Sequence, residues 1–459
     1  MTKRQIKLGA FLWPTGHHVA AWRHPDAPAD AGVNFPHFVG LAKKAEQGLF
    51  DLIFMADQAA VFFDTPDKLS YNSYIVRFEP FSLLSALAPL TKYIGLVSTA
   101  TTTYDEPYHV ARRFASLDQI SGGRSGWNLV TSYNPAEANN FGRDSHVPHD
   151  ERYRRGREFA EVVKGLWDSW DDDAFIRDKD SGRFLDPEKM HVLNHKGEHF
   201  KVRGPLNVAR SPQGQPVIVQ AGASDVGRDL ASEVAEIVFT AHQKLDDAKA
   251  FYRDIKTRAQ KFGRNPDHVK IMPGVSLIVA TTEKEAHAKS EHLQSLIHPK
   301  VGLMQLSQFI GFDLTSYPVD GPLPELPPEV MVSSRPALLT KLAREENLTI
   351  RQLYTRIAGS RGHWQIVGSV KQIADKLEEW FVEEGADGFN YMPPMLPDSL
   401  DDVVDLVVPE LQRRGLFRTK YEGTTLRDNL GLPRPVNRFS QKTELTIPMR
   451  SSLEKHPNT

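Results

Sequence analysis

Residues 94–132 constrain the fold more than any other stretch, because they have the pattern of a strand, a loop, a helix, a turn and a second strand. The apolar run Ile94–Ala100 is too short for a helix and rich in β-forming residues. Apolar residues then recur at helical spacing up to Ile120, and a pair of glycines ends that helix. A parallel pair joined this way places the loop after Ala100 near the residues that follow Asn128. That edge carries the chemistry in α/β sheets and barrels.

The rest of the chain repeats this alternation of short apolar runs and amphipathic segments. Further strands are predicted at Lys7–Trp13, Asp51–Ala56, Pro216–Gln220, Ile237–Ala241, Lys270–Thr281 and Gly388–Met392. Further helices are predicted at Phe35–Gln47, Glu79–Leu90, Arg152–Trp170, Asp225–Val234, Leu245–Phe262, Ser369–Glu384 and Leu400–Arg414. Seven or eight strands that alternate with helices predict an α/β barrel, although a doubly wound open sheet fits the periodicity almost as well.

A single barrel domain over residues 1–432 accounts for this pattern if it carries long insertions. Insertions are predicted at about 58–78, 171–214 and 282–363. The last is helical in pattern but broken by prolines, and it is too long for an ordinary connection, so it forms either a lid or a subdomain. Residues 433–459 are predicted to be a C-terminal extension that is partly disordered beyond Arg450.

The composition excludes several classes of protein. A formal charge of −2 does not favour a nucleic-acid binder, and no apolar run approaches the length of a membrane span. The absence of cysteine excludes disulfides, thiolate metal sites and cysteine nucleophiles. The N-terminal apolar run lacks a cleavage site and is interpreted as a strand. A cytoplasmic protein that binds neither membrane nor nucleic acid is expected.

Four stretches carry a resemblance to a known family. They are GHHVAAWRHPDAP (16–28), TTTYDEPYHVARRFASLDQISGGRSGWNLVTS (101–132), NHKGEHFKVRGPLNVARSPQGQPVIVQAG (194–222) and LFRTKYEGTTLRDNLGL (416–432). They closely resemble the flavin-dependent monooxygenases of the bacterial luciferase-like superfamily, in the branch with nitrilotriacetate, dibenzothiophene-sulfone and pristinamycin-type monooxygenases. The resemblance implies a (β/α)8 TIM barrel with insertions. It also implies a two-component monooxygenase, in which reduced FMN from a separate NAD(P)H:FMN reductase reacts with O2. We expect a transient contact with that reductase and a homodimer or homotetramer.

The resemblance also implies positions for the cofactor. The residues that match flavin-contacting positions of the family are Asp57, Thr103, His149, Tyr153 and Ser224. His17 matches a histidine at the mouth of the family's active site, where it could donate a hydrogen bond or act as an acid or base. Four of these residues have a simpler interpretation as well: a turn cap for Asp57, a loop cap for His17, β-propensity for Thr103, and an exposed surface position for His149.

Two features point to a ligand site from the residues themselves. Asn128 lies inside an apolar strand, where its side chain should point either at solvent or into the barrel mouth. A buried amide must be hydrogen-bonded, so we predict a catalytic and cofactor-binding role. Ala221, Gly222 and Ser224 follow the next strand and begin a helix. Small residues there let a phosphate approach the amides of a helix N-terminus, although so short a motif is weak evidence.

Arg77 is the predicted substrate-binding residue. It lies at the end of the first insertion and enters a helix, so it should face the same rim as Asp57. A guanidinium pairs well with a carboxylate and has little to pair with on a neutral sulfone, which predicts a small carboxylated amine or thioether as substrate. Arg23 and Arg361 are possible second cations. Alternatively, Arg77 pairs with Glu79 or another acidic residue on the surface.

Three other functions fit parts of the sequence. An F420-dependent oxidoreductase of the same fold is one, and a non-catalytic flavin-binding barrel is another. A third is an iron enzyme, because His24 and Asp26 have the spacing of a facial-triad site. That segment lies between prolines in a loop, and our prediction is that the protein holds no metal.

Overall fold

Eight parallel strands close into a barrel in a computed structural model that describes residues 4–61, 66–331, 334–359 and 362–440. The strands are β1 (Lys7–Phe11), β2 (Leu52–Met55), β3 (Gly95–Thr101), β4 (Ser125–Val130), β5 (Val217–Gln220), β6 (Ile237–Thr240), β7 (Lys270–Ala280) and β8 (Gly388–Tyr391). Each strand pairs with the next in chain order, and β8 pairs with β1. The predicted (β/α)8 barrel is therefore confirmed, and the open-sheet alternative is wrong.

A ninth parallel strand, Trp364–Ser369, was missed by the sequence prediction. β7 is eleven residues long and outruns β6, whose pairing ends at Thr240 opposite Pro273. Val275 pairs with β8 on one side and with Trp364 on the other. The extra strand thus pairs with the edge of β7 that β6 leaves unpaired. That unpaired edge can be recognised only in the folded barrel, not in the local sequence.

Helices cover the outside of the barrel and fill its insertions. The α-helices are Phe35–Gln47, Pro66–Leu69, Pro80–Leu87, Pro107–Ser121, Ala136–Asn140, His149–Trp167, Asp225–Val234, Leu245–Lys261, Glu283–Ser295, Pro299–Ile310, Pro328–Met331, Ser334–Glu345, Ile350–Ala358, Val370–Val382, Asp398–Asp402, Val408–Arg413 and Leu426–Leu430. A short hairpin joins His195–Lys196 to Lys201–Val202. None of the described helices is long and apolar enough to cross a membrane.

Two helices differ from their predicted bounds for local reasons. The helix predicted over Arg152–Trp170 begins at His149, directly after Pro148, and ends at Trp167. The one predicted over Leu400–Arg414 contains a π-helical turn, Val403–Val407, just before Pro409. Proline has no N–H to continue the regular ladder, so the turn widens there.

The helix Leu426–Leu430 closes the base of the barrel, at the N-terminal ends of the strands, and is called the base helix below. Leu426 is fully buried and its amide donates to the Gly123 carbonyl at 2.9 Å. A methyl group on Gly95 would lie 2.5 Å from Leu426 Cδ1, so glycine at this position leaves the room that the leucine fills. Buried ion pairs, including that of Arg418 with Asp51, hold the residues next to the base helix against the barrel.

The helices between Pro299 and Ala358 lie at the opposite end, above the C-terminal ends of the strands. They share a separate apolar cluster that includes Leu306 and Leu353 and reaches Val19 in the loop after β1. At the other terminus, Arg434 pairs with Asp172 and Asn437 donates to the Asp168 carbonyl, so the chain up to Ser440 lies against the barrel. The part beyond Arg450 that was predicted to be disordered lies outside the described residues.

Candidate active site

A cavity of about 1640 Å³ opens at the C-terminal ends of the strands. Its walls include Phe11 on β1 and Trp13 after it, Phe54 on β2 and Asp57 after it, Thr99 on β3, residues 128–130 on β4 and 131–132 after it, Gln220 on β5 and residues 221–222 after it, Phe239 on β6 and Met392 after β8. The helix Pro299–Ile310 contributes Met304, Gln305 and Gln308 from above. The cavity exceeds the roughly 300–1,000 Å³ of an ordinary ligand site, so it has room for two molecules at once.

Aromatic rings form an apolar wall on one side of the cavity. Phe54 stacks on Phe239 with ring centroids 5.8 Å apart, and Phe11 meets both rings edge-on. Trp13 lies edge-on to Phe11. Such flat surfaces accommodate a planar ligand ring.

Three polar groups form a chain of hydrogen bonds from one strand to the next beneath this wall. Asn128 Nδ2 on β4 donates to Thr99 Oγ1 on β3 at 2.8 Å, and Thr99 Oγ1 donates to the Met55 carbonyl on β2 at 2.8 Å. Asn128 is 3% exposed, and its Oδ1 has no hydrogen-bond partner among the described residues. A buried acceptor of this kind, on a cavity wall, is available to a ligand that donates.

A second polar area lies where the helix Asp225–Val234 begins. The close approach of Gly222 to Gly227 would not tolerate a side chain, since a methyl group on Gly222 would lie 2.7 Å from Gly227 Cα. The phenol of Tyr153 reaches the same turn, and the His149 ring lies 4.8 Å from the Tyr153 ring. Both side chains line the cavity, as do Ala221 and Gly222. An anion here would meet backbone amides and the positive end of the helix dipole.

Ser224 stabilises the turn at the start of the helix Asp225–Val234 and does not line the wall of the cavity. It is the N-cap of the helix, and its side chain accepts from the Gly227 amide at 3.2 Å. Serine is favoured at such a cap because its oxygen satisfies an amide that the helix leaves free. Ser224 therefore borders the anion area without lining the cavity, and its predicted contact with the cofactor stays a prediction.

Arg77 lines the cavity and pairs with Asp57, not with Glu79. Its Nη2 is 3.4 Å from Asp57 Oδ1, it donates to the Tyr74 and Gln58 carbonyls, and its guanidinium lies 4.9 Å over the Trp13 ring. Burial raises the pKa of the Asp57 carboxyl above its ordinary value, although the Gln58 amide and Arg77 act in the opposite direction.

Glu79 instead caps its own helix, because its carboxylate accepts from the amides of Phe81 and Ser82. The pairing of Arg77 with Glu79 is therefore wrong, whereas the other part of that alternative, pairing with another acidic residue, is found, since Asp57 is the partner. Of the possible second cations, Arg23 donates to the Leu296 carbonyl and does not line the cavity, and Arg361 lies outside the described residues. Arg152 does line it, held by hydrogen bonds to the carbonyls of Val147 and Thr131.

His17 and Thr103 lie behind the walls of the cavity. His17 is fully buried, its Nε2 donates to the Phe11 carbonyl at 2.9 Å, and its ring stacks on Trp13. The Thr103 hydroxyl donates to the Thr131 carbonyl at 2.7 Å. Neither side chain lines the cavity, so a catalytic role for His17 would act through Trp13 and remains a prediction.

The metal alternative finds no support in the described part of the chain. No group of three or more histidines and carboxylates there is arranged to hold an ion. His24 Nδ1 lies 3.6 Å from Asp26 Oδ2, and its ring packs against His292.

Several cavity residues were missed by the sequence prediction. They are Trp13, Thr99, Arg152, Gln220, Phe239 and the residues from the helix Pro299–Ile310. Gln220 had a visible signal, because it is a polar residue that ends an apolar strand. Its Oε1 accepts from the Gly222 amide at 2.6 Å, which shapes the turn into the anion area.

Comparisons with known proteins agree with this geometry. The family described as luciferase-like monooxygenase matches residues 15–388. The N-acetyl-S-(2-succino)cysteine monooxygenase of Bacillus subtilis (strain 168) is 55% identical and covers 96% of this chain and 99% of its own. Nitrilotriacetate monooxygenase component A of Aminobacter aminovorans is 53% identical, with 95% and 98% covered. A solved structure of riboflavin lyase with modified FMN and riboflavin is 33% identical, covers 94% of this chain and 97% of its own, and has a TM-score of 0.81.

The barrel, its cavity and these relatives together define an oxidoreductase of the α/β-barrel class. The chain belongs to the luciferase-like monooxygenase family. It is a flavin-dependent monooxygenase, as the sequence resemblance predicted.

Proposed function

We propose that this chain is the oxygenase component of a two-component system. It binds reduced FMN that a separate NAD(P)H:FMN reductase supplies, and it uses O2 to oxygenate a small carboxylated thioether or amine. The observation that carries the proposal is one cavity with a flat aromatic wall, a buried acceptor on Asn128, an anion area beside Tyr153 and a cation, Arg77, at the rim. The name of the Aminobacter relative, a component A, supports the division of labour.

The residues present fit an FMN molecule. A flavin needs a flat apolar slot, hydrogen-bonding groups for the edge of its ring and a site for its phosphate. Phe54 and Phe239 supply the slot, Asn128 the ring contact, and Tyr153 with the amides near Gly222 the phosphate site. We include Asp57, His149, Ala221 and Ser224 as cofactor-binding residues at the borders of these areas.

Bound reduced FMN supplies the electrons that activate O2. The protein's own task is to exclude water and to orient the substrate. Apolar rings line the walls, and the helix Pro299–Ile310 covers the cavity with Met304. Trp13 is held in place by His17 on one side and by Arg77 on the other. We propose that His17 acts through this contact by fixing the ring that borders the reacting groups.

Arg77 points to an anionic substrate. Its longest polar contact joins it to Asp57 at 3.4 Å, and burial works against the charged form of that carboxyl. A substrate carboxylate that accepts two parallel bonds from the guanidinium would compete well with this pairing. The names of the two relatives describe carboxylated molecules, one a thioether and one an amine, which is the class that Arg77 favours.

The substitution Arg77→Met tests the proposal. With N-acetyl-S-(2-succino)cysteine and nitrilotriacetate as probes, reduced FMN and a generic reductase, KM should rise about 10- to 100-fold, because a hydrogen bond between charged groups contributes roughly 1.5–3 kcal/mol. FMN affinity should stay within about threefold. Arg113→Met is a matched control, since Arg113 also pairs with an aspartate and lies over a phenylalanine ring but does not line the cavity.

Two results would contradict the proposal. An unchanged KM in Arg77→Met, or turnover only of substrates without an anionic group, would remove the role of Arg77. Efficient NADH oxidation by the purified chain with no reductase added would remove the two-component assignment.

A further inference from the structure

We propose that Thr99 is a positioning residue that makes the cavity select the reduced form of the flavin. Its hydroxyl fixes the amide of Asn128, so that the carbonyl oxygen, and not the NH2 group, is offered to the ligand. The inference rests on the proposed binding of FMN, and it concerns how this chain distinguishes the two redox states of one cofactor.

The orientation of the Asn128 amide follows from the number of protons available. A backbone carbonyl only accepts, so the contact between Thr99 Oγ1 and the Met55 carbonyl uses the single hydroxyl proton of Thr99. Thr99 can then offer Asn128 only a lone pair. The group of Asn128 that faces Thr99 at 2.8 Å must therefore be the NH2 group, because a carbonyl oxygen there would meet a second acceptor.

The other end of the amide is thereby fixed as an acceptor. Asn128 Oδ1 is buried, lies on a residue of the cavity wall and has no hydrogen-bond partner among the described residues. Native proteins rarely leave such an atom unsatisfied. A ligand that donates a hydrogen bond here satisfies it, whereas a ligand that presents an acceptor is repelled.

The two redox states of a flavin differ in this respect. Reduction by two electrons, with uptake of a proton, converts a ring nitrogen from an acceptor into an N–H donor. The reductase supplies the electrons, and this chain takes no part in that step. A rigidly held acceptor that lies opposite this nitrogen gains a partner when the flavin is reduced and loses it when the flavin is oxidised. The same site would retain the reduced cofactor and release the oxidised one.

The strand register explains why threonine performs this role. Thr99 pairs with Asn128 across β3 and β4, and Met55 lies one step along on β2. The three groups come from neighbouring strands of the barrel and are 6% or less exposed. Their geometry is set by the backbone, so the amide has little freedom to rotate.

The test measures dissociation constants for oxidised and reduced FMN under anaerobic conditions in the full chain. The unmutated protein should bind reduced FMN at least tenfold more tightly. Thr99→Val should lower that ratio about tenfold, because the amide can then turn, and Thr99→Ser should restore it. Thr102→Val is the matched control, since the Thr102 hydroxyl also donates to a carbonyl but lies outside the cavity wall.

Each outcome separates the inference from the function on which it rests. If the unmutated protein binds neither form, the proposed function fails. If it binds reduced FMN but Thr99→Val and Thr99→Ala keep the full preference, or if Thr99→Ser loses it, the inference is overturned and the function stands. Thr99→Ala provides the measurement if the valine variant does not fold. The ratio of FMN to riboflavin affinity should not change in any of these variants, whereas general damage to the site would alter it.

Discussion

Removal of one hydroxyl, in Tyr153→Phe, should reduce the preference of this protein for FMN over riboflavin. The two flavins differ only in the phosphate, so their relative affinity reports on the phosphate site alone. Tyr153 belongs to the helix His149–Trp167, and its hydroxyl reaches the start of the helix Asp225–Val234, where a methyl group on Gly227 would lie 3.0 Å from the tyrosine oxygen. Its hydroxyl can therefore donate to the same anion that the helix amides contact.

The size of the effect follows from that geometry. One hydrogen bond to a charged oxygen contributes roughly 1.5–3 kcal/mol, which is about a 10- to 100-fold change in affinity. The helix dipole adds about 0.3–1 kcal/mol and remains in the variant. The variant should therefore still prefer FMN, by a ratio that is lower by about 10- to 100-fold. Riboflavin should bind equally well to both proteins.

The assay is an anaerobic titration with reduced FMN and reduced riboflavin. Tyr108→Phe is the control, because its hydroxyl donates to the Pro205 carbonyl at 3.2 Å and it does not line the cavity. Equal affinities of the unmutated protein for both flavins would show that the phosphate contributes nothing to binding and would remove the proposed phosphate site. An unchanged ratio in Tyr153→Phe would exclude Tyr153 while leaving the helix terminus as a site.

Three further results are expected. His17→Ala should leave FMN affinity within about threefold but lower the fraction of consumed O2 that yields product. An unchanged ratio of product formed to O2 consumed would refute this prediction. Leu426→Ala should lower the free energy of unfolding by about 2–5 kcal/mol. Gly95→Ala adds a methyl group facing Leu426, so in denaturant titrations it should be less destabilising in the Leu426→Ala background than in the unmutated chain. If the two destabilisations simply add, the proposed packing of Gly95 against Leu426 is wrong. Burial lowers the pKa of His18 to about 4, so the unfolded chain binds more protons than the native one between that pH and 6.5. The contribution of His18 to stability should therefore fall by about 3 kcal/mol from pH 7 to pH 4, and it should appear as the difference between the unmutated chain and His18→Asn when both are titrated across that range.

The barrel strands could be predicted because each is a short apolar run between helical segments. β5 and β6 are bounded within one residue of their predicted ends for that reason. The strand Trp364–Ser369 could not, because its formation depends on the unpaired second half of β7. Residues 364–368 fell between the predicted insertion 282–363 and the helix predicted from Ser369 and were assigned to neither, and nothing in the local pattern reveals a partner ninety residues earlier in the chain.

The residues of the candidate site likewise fall into those that strand positions predict and those that depend on the folded structure. Asp57, Asn128 and Gly222 lie on or directly after strands, so position in the barrel alone brings them to the cavity. Thr103 was predicted from the loop, but Thr99 on the strand is the threonine that lines the wall. Hydrogen bonding does not distinguish them, since both hydroxyls donate to backbone carbonyls, Thr99 to Met55 and Thr103 to Thr131. Only the position of Thr99 on β3 brings it to the wall, and that depends on the closed barrel. Arg152 was missed because its direction is fixed by the carbonyls of Val147 and Thr131.

The closure of β8 onto β1 has a consequence for synthesis of the protein. β1 is complete when residue 11 has been made, and one of its edges pairs with β2 soon afterwards. Its other edge stays unpaired until β8 has been synthesised, nearly four hundred residues later, and the base helix begins only at Leu426. At about 5–20 residues per second, a nascent chain carries that open edge for tens of seconds. Ribosome-bound intermediates should therefore be sensitive to protease at β1, and chaperones that shield strand edges should raise the yield of folded enzyme.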